Sequence, residues 1–213
     1  HDWDQWGMCQ VQMNILDDEN QATLEGIREA GRRGVGVVVM EPLRGGLLAN
    51  PPVDVKAVYD AYAVQRSPVE WGFRYLYAMP EVVTILSGMS TWEQVMDNLR
   101  IFDMAKRPTL TDEELALYQK VKATYLARTK TRCTGCKYCQ PCPMGVQIPR
   151  IFQGYDAAML RADSSFKAGY AQIQADHADA SQCIHCRKCE RVCPQHLPIT
   201  RFLEEIHTAS TAE

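Results

Sequence analysis

The chain has 213 residues, 46% of them hydrophobic, and a formal net charge of −3. That length suits one large domain or two small ones, the apolar fraction excludes disorder by composition, and the weak charge does not favour nucleic acid as a partner. No apolar run approaches the ~20 residues of a membrane span and no signal peptide opens the sequence, so no membrane association is expected.

In chain order, residues 8–13 (MCQVQM) read as a short buried strand ending at the polar turn signal Asp17-Asp18. A helix is expected over roughly 18–33, with Leu24, Ile27 and Ala30 on one face and Gly34 as its stop. The run Val35-Gly36-Val37-Val38-Val39-Met40 is apolar on both faces, which suits a parallel strand covered on both sides. Residues 41–46 form a loop, and helical pattern resumes over 53–66. Ser67-Pro68-Val69-Glu70 combines an N-cap, a proline at the first helical position and a capping-box Glu. Val82-Val83-Thr84-Ile85-Leu86 is a third strand, and Thr91-Trp92-Glu93-Gln94 opens another helix with a capping-box Gln. Thr111-Asp112-Glu113-Glu114 opens a further one, running to about residue 127. Alternating βα units imply a parallel sheet. Three strands cannot close a barrel, so residues 1–107 read as the end of a larger βα structure. The chain also starts at His1 without an initiator Met, as a fragment or a processed product would.

Charge and cysteine usage change together along the chain. Residues 1–127 hold 12 Lys and Arg against 18 Asp and Glu, whereas residues 128–213 hold 11 against 8. Eight of the nine cysteines follow residue 132. The domains expected are therefore 1–107, a linking helix at 108–127, and a cysteine-rich domain at 128–213.

The first cysteine run is Cys133, Cys136, Cys139 and Cys142, followed by Pro143. The second is Cys183, Cys186, Cys189 and Cys193, followed by Pro194. The second fits the bacterial cluster spacing C-x2-C-x2-C-x3-C-P throughout, while the first is one residue short before its fourth Cys. Three thiolates two residues apart can wrap one corner of a cubic cluster, and a distant fourth closes it. Zinc prefers two Cys-x2-Cys pairs or Cys with His around one ion, and secreted disulfide scaffolds are short and cysteine-dense throughout. Two [4Fe–4S] clusters are therefore expected on these eight cysteines, with the fourth Cys of each run ligating the other run's cluster. Closely spaced reduced thiols point to a cytoplasmic protein. Cys9 reads as a small buried apolar residue. About 40 residues separate Cys142 from Cys183, and Ile148 to Phe152, Tyr155, Met159 and Leu160 recur at helical spacing. This domain resembles α-helical ferredoxins. Pro198 is expected to start a last helix over 199–207, with Phe202, Leu203 and Ile206 inward. The basic residues around the runs (Lys137, His185, Arg187, Lys188, Arg191) either dock an acidic partner or form a solvated face that balances cluster charge; the second reading is the simpler. His196 reads as a surface or hydrogen-bonding group rather than a ligand.

The segments Cys9-Gln10-Val11-Gln12-Met13-Asn14, Met40-Glu41-Pro42-Leu43-Arg44-Gly45-Gly46 and Ser87-Gly88-Met89-Ser90, the last followed by Glu93-Gln94 and Asp97-Asn98, resemble the final three βα units of aldo/keto reductases. The whole chain is similar to the branch with a C-terminal ferredoxin-like domain. The resemblance implies part of a (β/α)8 barrel, an α/β fold, followed by an all-α ferredoxin-like domain. It also implies NADP(H) or NAD(H) as cofactor of the complete barrel. Gln10 would hold the nicotinamide carboxamide. Met40 stands where the family places a stacking aromatic. Ser87, Gly88, Ser90, Gln94, Asp97 and Asn98 fall on the nucleotide contacts. Barrel phosphate sites independently favour the loops after the last strands, at a helix N-terminus. Arg44 with Gly45-Gly46 either meets a pyrophosphate or shapes a turn.

No part of the chain matches the half of the barrel that carries the family's catalytic residues, so no catalytic residue is assigned. Tyr59, Tyr62, Tyr75 and Tyr77 read as helical packing. The expected function is an iron–sulfur oxidoreductase portion that couples NAD(P)H-linked chemistry on a carbonyl or alcohol to a redox partner protein or small electron carrier. The alternative is a non-catalytic electron-transfer module with a partner-binding half-barrel.

Overall fold

The computed structural model describes residues 5–19, 22–103 and 107–211. The chain divides into two compact units, His1–Tyr125 and Leu126–Glu213. Among the described residues, no helix is long and apolar enough to cross a membrane.

The first unit runs β1 (Met8–Gln12), α1 (Thr23–Arg32), β2 (Gly36–Met40), α2 (Val53–Asp60), α3 (Pro68–Tyr77), β3 (Val82–Ile85), α4 (Trp92–Phe102) and all but the last three residues of α5 (Asp112–Arg128). Its sheet is parallel, in the order β1-β2-β3. Gln10 pairs with Val38 and Val38 with Thr84, the second ladder slipping once between Val37 and Val38. Val37, Val38 and Val39 are buried because β2 lies between two strands and is covered on both faces.

Local caps set the helix starts. The Ser67 hydroxyl accepts from the Glu70 amide, and Thr91 and Gln94 close a full capping box. Thr111 and Glu114 exchange the same pair of bonds at the start of α5. The Glu70 carboxylate lies 3.5 Å from Arg66 and 3.0 Å from Arg100, ion pairs that tie α3 to its neighbours.

Four expectations shift. The strand expected to be buried over 8–13 ends at Gln12 and has exposed residues at Met8 and Gln10. The helix expected from about residue 18 starts at Thr23, because Asp17 and Asp18 belong to a buried turn. Asp17 accepts from Gln12 and Asn14, while Asp18 accepts from Tyr75 and Lys122. The helix expected over 53–66 ends at Asp60, where the Gln65 amide donates to the carbonyls of Asp60 and Tyr62 and folds the chain back. Tyr62 therefore leaves the helix, and its ring packs edge-on against Trp71. Cys9 is half-buried rather than buried. Tyr59, Tyr75 and Tyr77 pack on Trp71, Tyr118 and Phe102 respectively.

In the second unit every regular element among the described residues is helical. It holds α6 (Ile148–Arg161), α7 (Ser165–Ala175), a short 3-10 turn (Ala180–Gln182), α8 (Lys188–Arg191) and α9 (Ile199–Thr211). The last helix is four residues longer than expected; Leu203 and Ile206 are buried, and Phe202 packs edge-on against Phe152. The core centres on Ile151, Phe152, Tyr170, Ile173, Leu203 and Ile206. Cys133, Cys139, Cys142, Cys183, Cys189 and Cys193 pack against it.

Candidate metal centre and nucleotide half-site

The first cysteine run lies in a segment without helix or strand, so its shape needs other supports. Asp156 of α6 supplies the main one. Its buried carboxylate accepts from the backbone N–H groups of Lys130 (2.9 Å), Thr131 (3.1 Å) and Arg132 (2.7 Å), and from the Thr131 hydroxyl (2.7 Å). That hydroxyl accepts in turn from the Cys133 amide. Gly135 has φ +69°, and the Gln153 side chain occupies the place where a Cβ would stand. Gln140 bridges the end of the run, donating to the Val146 carbonyl and accepting from the Cys142 amide.

The second run is held from both ends. The Cys183 amide donates to the Ala180 carbonyl, and the Cys193 amide to the Glu190 carbonyl. The Glu190 carboxylate caps α9 by accepting from the Thr200 amide and hydroxyl. Its position next to Cys189 joins the run to that helix.

The thiols ring two cavities. One, of about 440 Å³, is bordered by Cys142 together with Cys183, Cys186 and Cys189. The other, of about 20 Å³, is bordered by Cys133, Cys136 and Cys139 together with Cys193. Cys139 borders both. The fourth Cys of each run thus stands with the first three of the other, the grouping that crossed ligation requires. Among the described residues, no three His, Cys, Asp or Glu groups converge tightly enough for a single metal ion. Burial pushes the thiols of Cys133 and Cys139 upward, and that of Cys189 to about 11. The chemistry of the donor set, four thiols per ring, fits a cluster at both places. In the larger ring the space fits as well; in the tighter one the donor set carries the fit. His196 lines neither ring.

Of the positions expected to contact a nucleotide, Gln10 lies within β1, Met40 at the end of β2 and the others in the loop and helix after β3; ligands of parallel sheets bind at the C-terminal ends of the strands. Gln10 on β1 and Met40 at the end of β2 are neighbours, the Gln10 amide donating to the Met40 sulfur at 3.4 Å. Leu86 begins the next loop with its amide on the Val39 carbonyl. Within that loop the Ser90 amide donates to the Gln94 side chain (2.7 Å), and Asn98 donates to the Ser87 hydroxyl (2.7 Å). Gln94 and Asn98 therefore brace Ser87, Gly88 and Ser90, and Asp97 is paired with Arg100. Arg44 faces Asp17 at 3.7 Å inside a turn with Gly45 and Gly46 at positive φ.

Asp156, Glu190 and Gln140 are the supports that sequence reasoning missed. Asp156 carried a signal: it falls four residues after Phe152, on the apolar face of α6, where a lone carboxylate needs partners.

A sequence model of the aldo/keto reductase family matches residues 1–123, and one of the 4Fe-4S dicluster domain matches residues 132–197. Among solved structures, the chain is similar to the aldo-keto reductase AKR11C1 from Bacillus halodurans. Against its holo form the identity is 27% over 54% of this chain and 42% of the other, with a TM-score of 0.42. Against its apo form the identity is 27% over 54% and 43%, with a TM-score of 0.43. The chain thus spans about two fifths of the length of these structures. No curated protein matches it.

Proposed function

The chain belongs to the aldo/keto reductase family, and on that premise we propose that it is the C-terminal portion of an iron–sulfur oxidoreductase. In this reading NAD(P)H-linked chemistry on a carbonyl or alcohol is coupled to one-electron transfer through two [4Fe–4S] clusters. The observation that carries it is the pair of thiol rings, each completed by the last cysteine of the opposite run. Cys133, Cys136, Cys139 and Cys193 hold one cluster; Cys183, Cys186, Cys189 and Cys142 hold the other. When bound, such clusters supply one-electron steps that a nicotinamide, a hydride donor, does not perform alone.

The chain's own residues do the holding. Asp156 fixes the approach to Cys133, Gln140 fixes Cys142, and Glu190 fixes the exit from Cys189. In the first unit, Gln10 orients the carboxamide of a nicotinamide, with Met40 as an apolar wall in place of an aromatic ring. Ser87, Gly88 and Ser90, ahead of the α4 N-terminus, receive the anionic part of the nucleotide; Gln94, Asp97 and Asn98 hold that loop in shape. No residue is assigned a proton-transfer role.

Anaerobic purification tests the cluster reading. The protein is expected to be brown, with about eight iron and eight acid-labile sulfide per chain. Stoichiometric zinc without labile sulfide would sink it. The nucleotide reading is tested by titrating NADPH and following its fluorescence. Gln10→Ala and Gly88→Glu are expected to abolish saturation, and unchanged binding in both would remove these residues from the site.

A further inference from the structure

The cations of the second unit fall into two groups. Away from the cysteines they are paired: Lys130 and Arg201 with Glu205, Arg150 with Asp176, and Arg161 with Asp163. Beside the cysteines most are not. Among the described residues, no carboxylate comes within ion-pair distance of Lys137, Lys188 or Arg191, and Arg187 meets one, Glu190, only at 4.0 Å. The Glu190 carboxylate is turned toward Thr200 instead. Arg187, 74% exposed, and Lys188 border the larger ring, which no acidic side chain borders. His185 and Arg187, on either side of the exposed Cys186, both have left-handed backbone.

We propose that this cationic collar, in which Lys137, Lys188 and Arg191 have no carboxylate partner among the described residues and Arg187 only a distant one, is the docking surface for an acidic one-electron carrier protein. The ring of Cys142, Cys183, Cys186 and Cys189 is then the point where electrons enter or leave. The inference rests on the cluster reading above and adds to it the partner and the exit. Unpaired exposed cations keep their long-range field, which speeds encounter with an oppositely charged surface and orients it. Paired cations, such as those elsewhere on this unit, do so far less. The step itself moves one electron: the reduced cluster is oxidised by one unit and the carrier's metal is reduced by one, with no proton or group transferred.

The test uses the full chain with its clusters assembled anaerobically, reduced with dithionite and freed of excess reductant. Two oxidants serve as probes: plastocyanin, an acidic copper protein that takes one electron from Cu(II) to Cu(I), and cytochrome c, a basic haem protein. Reduction of plastocyanin is expected to slow on the order of tenfold between low salt and about 0.3 M. The double variant Arg187→Glu/Lys188→Glu is expected to slow it on the order of tenfold at low salt, and not to slow cytochrome c. Calorimetry of the oxidised proteins at low salt should show plastocyanin binding that the double variant loses. A flat salt response overturns the proposal. So does an equal change in rate with both carriers that simply follows a lowered cluster potential, which is what cations that merely balance cluster charge would give. Iron and sulfide are counted first: a wild-type chain that holds none removes the cluster reading itself. If the double variant loses iron, Lys188→Gln/Arg191→Gln makes the same comparison at half the charge change, and unaltered salt dependence there is equally fatal.

Discussion

The two units solve the problem of stability in opposite ways. The first is ordered by its own side chains. Its central strand is buried, Trp71 is packed between Tyr59, Tyr62 and Tyr118, and Asp18 joins Tyr75 to Lys122 inside the fold. Its outside is unfinished: β1 and β3 are sheet edges, and Val83, Trp92 and Leu99 are 60–71% exposed. The second unit has an apolar core around Phe152, Tyr170 and Leu203, with thiols packed against its side and Tyr138, Ile184 and Val192 50–68% exposed. The first unit is thus closed in its interior and open at its sheet edges, whereas the second leaves a row of thiols between its core and its surface.

Iron removal is the sharpest way to break that comparison, and it has the largest expected effect. Where ligands are brought together only in the folded state, metal-binding free energy is folding free energy. Acid or chelator treatment should therefore abolish hydrogen-exchange protection in α6 and α9 while leaving β2 and α3 protected. Equal protection in both units before and after would mean that the second unit holds itself together.

Next in size is the loss of one thiol. Cys193→Ser removes a ligand from the ring built on Cys133, Cys136 and Cys139, and leaves four thiols in the other. Electron paramagnetic resonance should show one cluster lost or converted and the other unchanged, and Cys142→Ser should give the reverse pattern. Damage confined to the substituted residue's own run would rule out the crossing.

The same contrast explains what the sequence revealed. Helix starts at Ser67, Thr91 and Thr111 were legible because a cap and its partner lie three residues apart. The cysteine runs were legible because cluster geometry is written in their spacing. The burial of Asp17 and Asp18 was not, since Tyr75 and Lys122, which meet Asp18, stand 57 and 104 residues away. The end of α2 was missed because a side chain, Gln65, closes it by binding backbone carbonyls. Around the thiols, spacing named the candidate ligands but not their supports, because a support such as Asp156 acts on amides 24 to 26 residues distant.

Asp156→Ala asks how far those supports matter. It removes the acceptor of the buried Thr131 and half-buried Lys130 amides and of the exposed Arg132 amide, at a cost of about 3 kcal/mol. The loss should fall on the second unit, with the Cys133 ring taking up iron less completely than the Cys183 ring. Unchanged iron content with unchanged unfolding would reduce Asp156 to a bystander.

The smallest expected effect tests the self-sufficiency of the first unit. Burial alone would raise the Glu114 carboxyl, but the Arg74 hydrogen bonds, the Thr111 amide and the charges of Arg74 and Arg66 together take it below the ordinary 4.5. A carboxylate depressed in the folded state contributes stability that is present above the unfolded value and lost as pH falls through the folded one. Glu114→Gln keeps the shape and removes the charge, so it should cost about 2 kcal/mol at pH 7. That deficit relative to the native chain should begin to shrink near pH 4.5 and continue shrinking below it. All four tryptophans (Trp3, Trp6, Trp71 and Trp92) precede residue 126, so denaturant unfolding followed by their fluorescence reports this unit alone. No deficit at either pH 3.5 or pH 7 would show that Glu114 acts by shape. The first unit would then owe its order to packing around Trp71 and Tyr118, without help from the ion pairs of Arg66 and Arg74.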